Sequence, residues 1–336
     1  MTYFIFFEKF SENSAKSGKD LYVKERNGFA PLLKLLEGLL RRRSSYVGPE
    51  DPSLELIEGN FTDEKTLRHA MQGCTYAVHC AARTGQSGSY NSYKWVNVTA
   101  AERLAEIAAE CGVKRIVNVA SANVFAYGTE ERPGDETKPI AYPFTESAYA
   151  RSKFEALQRL ERFRDRIKIV TVCPTFMIGA WDSRPSSGRI ILMGCGRRVM
   201  FHPPGGKNFV AAGDVARGIV AALQRGRNGE RYLLSGENLT YAEFYRLLAA
   251  RTGRRQRLVR IPAWVLLAAG AVGDLLARLG VRSEISRTNM RILCVGNYYT
   301  NAKSVCELGV LYRPLSEAVD EAVEWFRSRG MLPGDR

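Results

Sequence analysis

From Leu54 onward, short apolar runs alternate with stretches of helical periodicity, and this alternation restricts the chain to a parallel β-sheet flanked by α-helices. Leu54 to Ile57 reads as a strand ending in Gly59-Asn60-Phe61, and Thr62-Asp63 cap a helix running to about Met71. Thr75 to Cys80 reads as a buried strand followed by Ala81-Ala82, and a long helix follows over 92–111. Arg115 to Ala120 is the next strand. It delivers Ser121 at its carboxyl end, the edge at which open parallel sheets bind ligands. A helix over 146–164, a strand over 168–172 ending at Cys173-Pro174, a helix over 210–224 and a strand over 231–234 continue the pattern. The glycine- and proline-rich stretch 179–206 reads as loop with one short helix over 189–194, a substrate-covering segment. After Leu239 the pattern turns largely helical. Thr240 to Glu243 form a capping box, and further helices are expected over 263–279, 284–295, 302–308 and 315–329. The expected architecture is α/β: a doubly wound parallel sheet domain over 1–178, to which 209–236 returns, and a smaller, mostly helical substrate lobe from 179–208 and 237–336.

Tyr149 and Lys153 lie four apart, so the 146–164 helix aims a phenol and an ammonium at one point. A free phenol ionises near pH ~10, and a cation held beside it lowers that value. A tyrosine so tuned moves a proton to or from a hydroxyl or carbonyl oxygen, while a serine hydroxyl such as that of Ser121 holds the same oxygen. The spacing alone fits equally well a half-buried ring beside a snorkelling lysine.

With 336 residues, 45% of them hydrophobic, the chain suits one large domain or two linked lobes. A formal charge of +14 favours acidic partners: nucleotide phosphates, anionic substrates or an anionic membrane surface. No specific nucleic-acid partner is expected, because the basic residues are spread through helices without an aromatic-rich RNA motif or zinc-finger spacing. The seven cysteines are odd in number and form no C-x-x-C, so they read as reduced thiols in a cytoplasmic protein, and no metal site is expected. The apolar start soon meets Glu8 and Lys9, too early for a secretory signal. The apolar run from Trp264 stops at Asp274 and Arg278. It is too short to span a bilayer, and a buried helix is preferred over one lying on a membrane surface.

Several segments in a fixed order resemble the extended short-chain dehydrogenase/reductase family, which includes NAD-dependent epimerases and dehydratases. Val78-His79-Cys80-Ala81-Ala82 is similar to the family's fourth-strand motif, where the backbone passes beneath the cofactor, and Asn97-Val98-Thr99 to a helix motif whose asparagine helps hold the lysine through water. Val119 to Phe125 resembles the serine segment, Tyr149 and Lys153 the tyrosine-lysine pair, Cys173 to Gly179 the segment near the nicotinamide, and Phe209 to Ala216 the opening of a late helix. The stretch 88–97 and the ending 298–330 look most like the branch of 3β-hydroxysteroid and sterol dehydrogenases and dihydroflavonol reductases. The resemblance implies a Rossmann-type fold, NAD or NADP as cofactor, and a homodimer through the helices over 92–111 and 146–164. His79 is kept as a core residue and Asp214 as a helix cap, both outside the site.

The pattern breaks at the start. The family opens with a strand and a T-G-x-x-G-x-x-G turn, whose glycines let backbone amides and a helix N-terminus approach the pyrophosphate. The nearest counterpart runs from Leu21 to Leu36, where Gly28 fits but Glu25 and Pro31 stand at the outer glycine positions. A carboxylate there opposes a pyrophosphate, and side chains block close backbone approach. The other register takes Met1 to Phe7 as the first strand, followed by Glu8-Lys-Phe-Ser with no glycine. Three explanations stand: a misread or frameshifted start, an unusual mode of cofactor binding, or a degenerate member that no longer transfers hydride. Arg41 to Arg43 occupy the place where NADP-preferring members hold the 2′-phosphate, which leans the expectation towards NADP, and a solvated charge run explains them equally well.

The expected activity is an NAD(P)-dependent oxidoreductase acting on a secondary alcohol or ketone of a bulky, steroid-like small molecule. Ser121, Tyr149, Lys153 and Asn97 are the expected catalytic set. Gly28, Arg43, Asn60, Phe61, Ala81, Ala82, Tyr149, Lys153 and Pro174 are the expected cofactor contacts. The alternatives are a nucleotide-sugar epimerase or dehydratase, and a non-catalytic member that lost the cofactor turn.

Overall fold

The computed structural model describes residues 3–7, 20–25, 54–59, 63–84, 89–182, 185–281 and 284–332, the first three stretches as backbone apart from Ile57. Strands β1 (Tyr3–Phe7), β2 (Asp20–Glu25), β3 (Leu54–Gly59), β4 (Tyr76–His79), β5 (Arg115–Val119), β6 (Lys168–Pro174) and β10 (Arg231–Leu234) form one sheet, in the order β10-β6-β5-β4-β1-β2-β3. The order reverses between β4 and β1, which is where a doubly wound sheet opens a crevice for ligands at its carboxyl edge.

Adjacent residues of the central strands serve opposite faces. Ile116 and Ile169 join a core with helix α1 (Glu64–Met71) and Leu104, Ala105 and Ala108. Val117 and Val170 join a second core with Val215, Ile219 and Ala222 of helix α5 (Ala212–Arg225). Burial on both faces is why these strands read as continuous apolar runs instead of alternating ones.

Helix α2 is built of three consecutive pieces, Tyr90–Tyr93, a π-helical turn Lys94–Thr99, and Ala100–Glu110. Helix α3 (Ala148–Leu160) packs beside it, with Ser147 as N-cap accepting from the Ala150 amide at 3.4 Å. Helix α4 (Arg189–Gly194) lies where the sequence predicts one, but the remainder of 179–206 is not all loop, because strand β8 (Val199–His202) follows. The second half holds strands that the sequence reading lacks: β7 (Phe176–Ile178), β9 (Gly206–Ala211), β11 (Glu237–Thr240), β12 (Arg257–Arg260) and β13 (Gly296–Asn297). β9 is central to a small sheet, pairing with β11, β13 and β7. Helix α6 (Tyr241–Arg251) starts at the expected capping box, with both reciprocal bonds between Thr240 and Glu243 present. Helices α7 (Ala263–Arg278), α8 (Arg287–Cys294), α9 (Ala302–Leu308) and α10 (Leu315–Ser328) complete the described chain.

One open choice is resolved and two expectations are corrected. The slot beside β4 is held by β1, in parallel register with Phe6 opposite His79, so of the two registers that the sequence leaves open it is the one with Tyr3–Phe7, rather than the strand at Leu21, in the first-strand position. β2 runs antiparallel to both β1 and β3, so the sheet is parallel except for this strand. Phe7 pairs with Leu21, so the end of β1 and the start of β2 lie at the same edge. The second correction concerns α7. Only Gly270 and Gly273 of this helix are buried, while Trp264 is 72% exposed, so it is a surface helix and not a core one.

Candidate active site

The carboxyl ends of β4, β5 and β6 present Ala81, Ser121 and Pro174 along one edge of the sheet, all three buried. Ser121, two residues past the end of β5, is extended and caps a short 3₁₀ turn, its Oγ accepting from the Asn123 amide at 3.3 Å. Helix α3 packs against this turn and brings Tyr149 and Lys153 to the same edge on one helical face.

Lys153 is 4% exposed, and its Nζ donates to the Val119 carbonyl at 2.9 Å, two residues before Ser121. Burial lowers its pKa to about 8, an effect that the thiols of Cys80 and Cys173 oppose. The ammonium therefore persists at neutral pH. Burial pushes Cys80 and Cys173 up to about 12, and burial first, then Lys153, depresses His79 to about 3. Both thiols and the imidazole are thus neutral, and Lys153 carries the charge among them.

Asn97, in the π turn of α2, is 1% exposed. Its Oδ1 accepts from the Arg83 amide at 2.8 Å, and its Nδ2 donates to the Arg83 carbonyl at 3.2 Å and to Ser152 Oγ at 2.8 Å. Ser152 Oγ in turn donates to the Tyr149 carbonyl at 2.7 Å. Asn97 is thereby brought to the neighbour of Lys153 rather than to Lys153, and it clamps the chain leaving β4 to the helix carrying Tyr149. Ser152 escaped the sequence reading. A wholly buried serine inside a helix, next to the lysine, is the signal that marks it.

Tyr149 is half-buried and lines a cavity of about 160 Å³ with Tyr93, Ser147, Ser286, Thr288 and Asn289. A larger cleft of about 560 Å³ lies at the opposite edge of the sheet, around Arg115, Arg166 and Lys168, and contains none of these groups. A second amine also went unread. Lys207 on β9 sits 5.4 Å from the ring centroid of Phe176, just after Pro174, and burial lowers its pKa to about 8. Its register partner Asn297 donates to Asn123 Oδ1 at 3.3 Å, tying this small sheet to the Ser121 turn. Asp214 is 1% exposed and accepts from the Arg313 amide at 2.8 Å and Nε at 3.1 Å. It lies inside the first turn of α5, whose N-cap is Ala211, and is a structural tie rather than the expected cap.

Gly28, Arg43, Asn60 and Phe61 lie outside the described residues. β3 ends at Gly59 on the carboxyl edge, the same edge as Ser121, whereas β2 ends at Glu25 opposite Tyr3, on the far edge. The residues at the near end fit a nicotinamide cofactor: Lys153 keeps donors beyond the one given to Val119, and the chain leaving β4 carries only the small side chains of Ala81 and Ala82, the first of them buried in the core.

A doubly wound, mostly parallel sheet with its crevice at the carboxyl edge defines a Rossmann-type fold. The chain belongs to the NAD dependent epimerase/dehydratase family, whose model matches residues 16–235 and leaves β1 outside the match. It is 29% identical over 305 residues to sterol demethylase protein B of Methylococcus capsulatus, covering 88% of this chain and 92% of that protein. It is 24% identical over 313 residues to the decarboxylating sterol-4-alpha-carboxylate 3-dehydrogenase ERG26 of Candida albicans, covering 85% and 87%. Among solved structures it is similar to gox2253, with a TM-score of 0.70 and 27% identity over 82% of this chain and 85% of that one. The NAD-bound dTDP-glucose 4,6-dehydratase DesIV of Streptomyces venezuelae shares the fold, with a TM-score of 0.63, 19% identity, and coverage of 82% and 80%.

Proposed function

We propose that the chain is an NAD(P)-dependent oxidoreductase that interconverts a secondary alcohol and a ketone on a bulky, lipophilic ring system. The observation that carries this reading is the buried Lys153 ammonium, fixed to the Val119 carbonyl beside Ser121 and one helical turn from Tyr149. Bound NAD(P) supplies or takes the hydride. Ser121 holds the substrate oxygen, Tyr149 gives or takes the proton at that oxygen, and Lys153 lowers the cost of the phenolate. Asn97 and Ser152 keep the first turn of α3 in place. The segments 179–208 and 237–336 select the substrate. An acidic substituent on the substrate is in keeping with the sterol carboxylate named for one relative and with the charge of +14. Nucleotide sugars are the second reading, favoured by the same charge.

The test begins with titration of the full chain by NADPH and NADH, following nicotinamide fluorescence. Saturable binding followed by turnover of a hydroxysteroid or 4-carboxysterol supports the proposal. Turnover of nucleotide sugars alone transfers it to the second reading, and no binding of either cofactor at millimolar concentration overturns both.

A further inference from the structure

Helix α7 is built the wrong way round for a soluble protein. An amphipathic surface helix buries its apolar stripe and shows water its polar face. In α7 the inward face is glycine, and the outward face is apolar. Helical spacing puts Trp264, Ala268, Val272 and Leu275 on one stripe, which Leu279 just past the helix continues. Trp264 is 72% exposed, Val272 and Leu275 57% each, and Leu279 73%. On the inward face a Cβ at Gly270 would lie 2.8 Å from the Arg287 Cα, and one at Gly273 would overlap the Ile285 carbonyl. The glycines let α8 and the residues before it approach closely, and this close approach fixes the direction in which the stripe points.

Charge decides what covers the stripe. Arg260 and Arg278 stand exposed at its two ends, and neither has an ion pair among the described residues. Arg257 adds a further exposed cation on β12. A two-fold contact between copies would set this patch against itself and bring these arginines towards one another. No described helix is long and apolar enough to cross a membrane. An apolar stripe with basic ends suits a helix lying in the plane of an anionic bilayer, its side chains among the acyl chains and its arginines at the phosphates.

We infer that α7 docks the protein on an anionic lipid bilayer. The docking places the candidate site at the membrane, because Ser286, Thr288 and Asn289, which share the cavity with Tyr149, belong to the segment packed on the inward face of α7. A lipophilic substrate then reaches Tyr149 from the bilayer. The inference does not depend on catalysis and is read without an activity assay.

The experiment is flotation of the full chain with vesicles of phosphatidylcholine plus phosphatidylglycerol, and with vesicles of phosphatidylcholine alone. The chain is expected to float with the anionic vesicles, with a blue shift of tryptophan emission that Trp264→Phe abolishes. Leu275→Glu with Leu279→Glu is expected to weaken partition about tenfold or more without changing the circular dichroism or Tm, because both residues are exposed. Arg260→Gln with Arg278→Gln is expected to remove the preference for anionic vesicles. Leu311→Glu, at an exposed apolar residue elsewhere, is expected to leave binding unchanged. Failure to float with either vesicle overturns the inference, as does equal binding by the Leu275/Leu279 variant. A dimer that this variant converts to monomer would assign the face to a second copy and overturn it too.

Discussion

Lys153 Nζ and the Val119 carbonyl oxygen lie 2.9 Å apart in a pocket where the neighbouring thiols and imidazole are uncharged. The bond holds the lysine against the strand that delivers Ser121, so two groups from distant parts of the chain share one backbone anchor.

This buried amine makes stability depend on pH. A lysine with a folded pKa of about 8 and an ordinary value of 10.5 binds fewer protons folded than unfolded between those values, so its share of stability rises with pH across that window. Below pH 8 the charged form costs about 3 kcal/mol. Lys153→Met is expected to remove this dependence and to raise stability at pH 7. Cys80 and Cys173 act in the opposite sense above pH 9, so the quantity to compare is the difference between the two proteins in urea melts from pH 6.5 to 9. Equal slopes for both would show that the amine is not desolvated.

Tyr149→Phe keeps the ring and removes the proton carrier. On the proposed mechanism kcat falls about 10²–10⁴-fold, while NADPH titration remains saturable. Ser121→Ala is expected to cost less, about 10²–10³-fold, since it removes one donor to the substrate oxygen. A Tyr149→Phe protein with unchanged kcat would exclude Tyr149 as the acid.

Asn97→Leu fills the volume but leaves the Arg83 amide and carbonyl and the Ser152 hydroxyl without their shared partner. The expected loss is about 2–4 kcal/mol, seen as a lower denaturant midpoint. A midpoint within error of the parent would mean that water replaces the clamp.

Asp214→Ala strands the Arg313 backbone amide and removes the acid facing Arg217 and Arg313. A loss of about 3–5 kcal/mol is expected, with kcat of the remaining folded protein unchanged. A selective fall in kcat would instead draw Asp214 into the site.

A sheet flanked by helices, the place of Ser121 just after a strand and of Tyr149 and Lys153 on one helix were legible because each rests on a local pattern: a buried apolar run, a residue following it, a spacing of four. The strands around β9 were not. They run two to six residues and pair with partners far along the chain, so Phe209 to Ala211 carry no signal separating them from the helix that follows. The exposure of α7 was illegible for a related reason: an almost uniformly apolar helix has no face to read, and what packs on it is decided by α8. The direction of β2 depends on its pairing with β1 and β3, which no window of sequence displays. The role of Asn97 was half read, since its position was visible but Arg83 and Ser152, its partners, come from other elements.

The π turn over Lys94–Thr99 carries one more residue per turn than the helix on either side. It works as a phase shifter. Upstream, Tyr90 meets Glu155 and the Arg151 guanidinium on α3, and downstream, Leu104, Ala105 and Ala108 meet the sheet. A strict α-helix would lock those two sets in one angular relation, whereas the extra residue sets them independently and leaves Asn97 at the seam. Loss of a single residue from this turn would restore an unbroken helix and rotate everything before it by about 100°. One deletion would then disconnect the β4 exit from α3 while leaving every candidate catalytic side chain in the sequence.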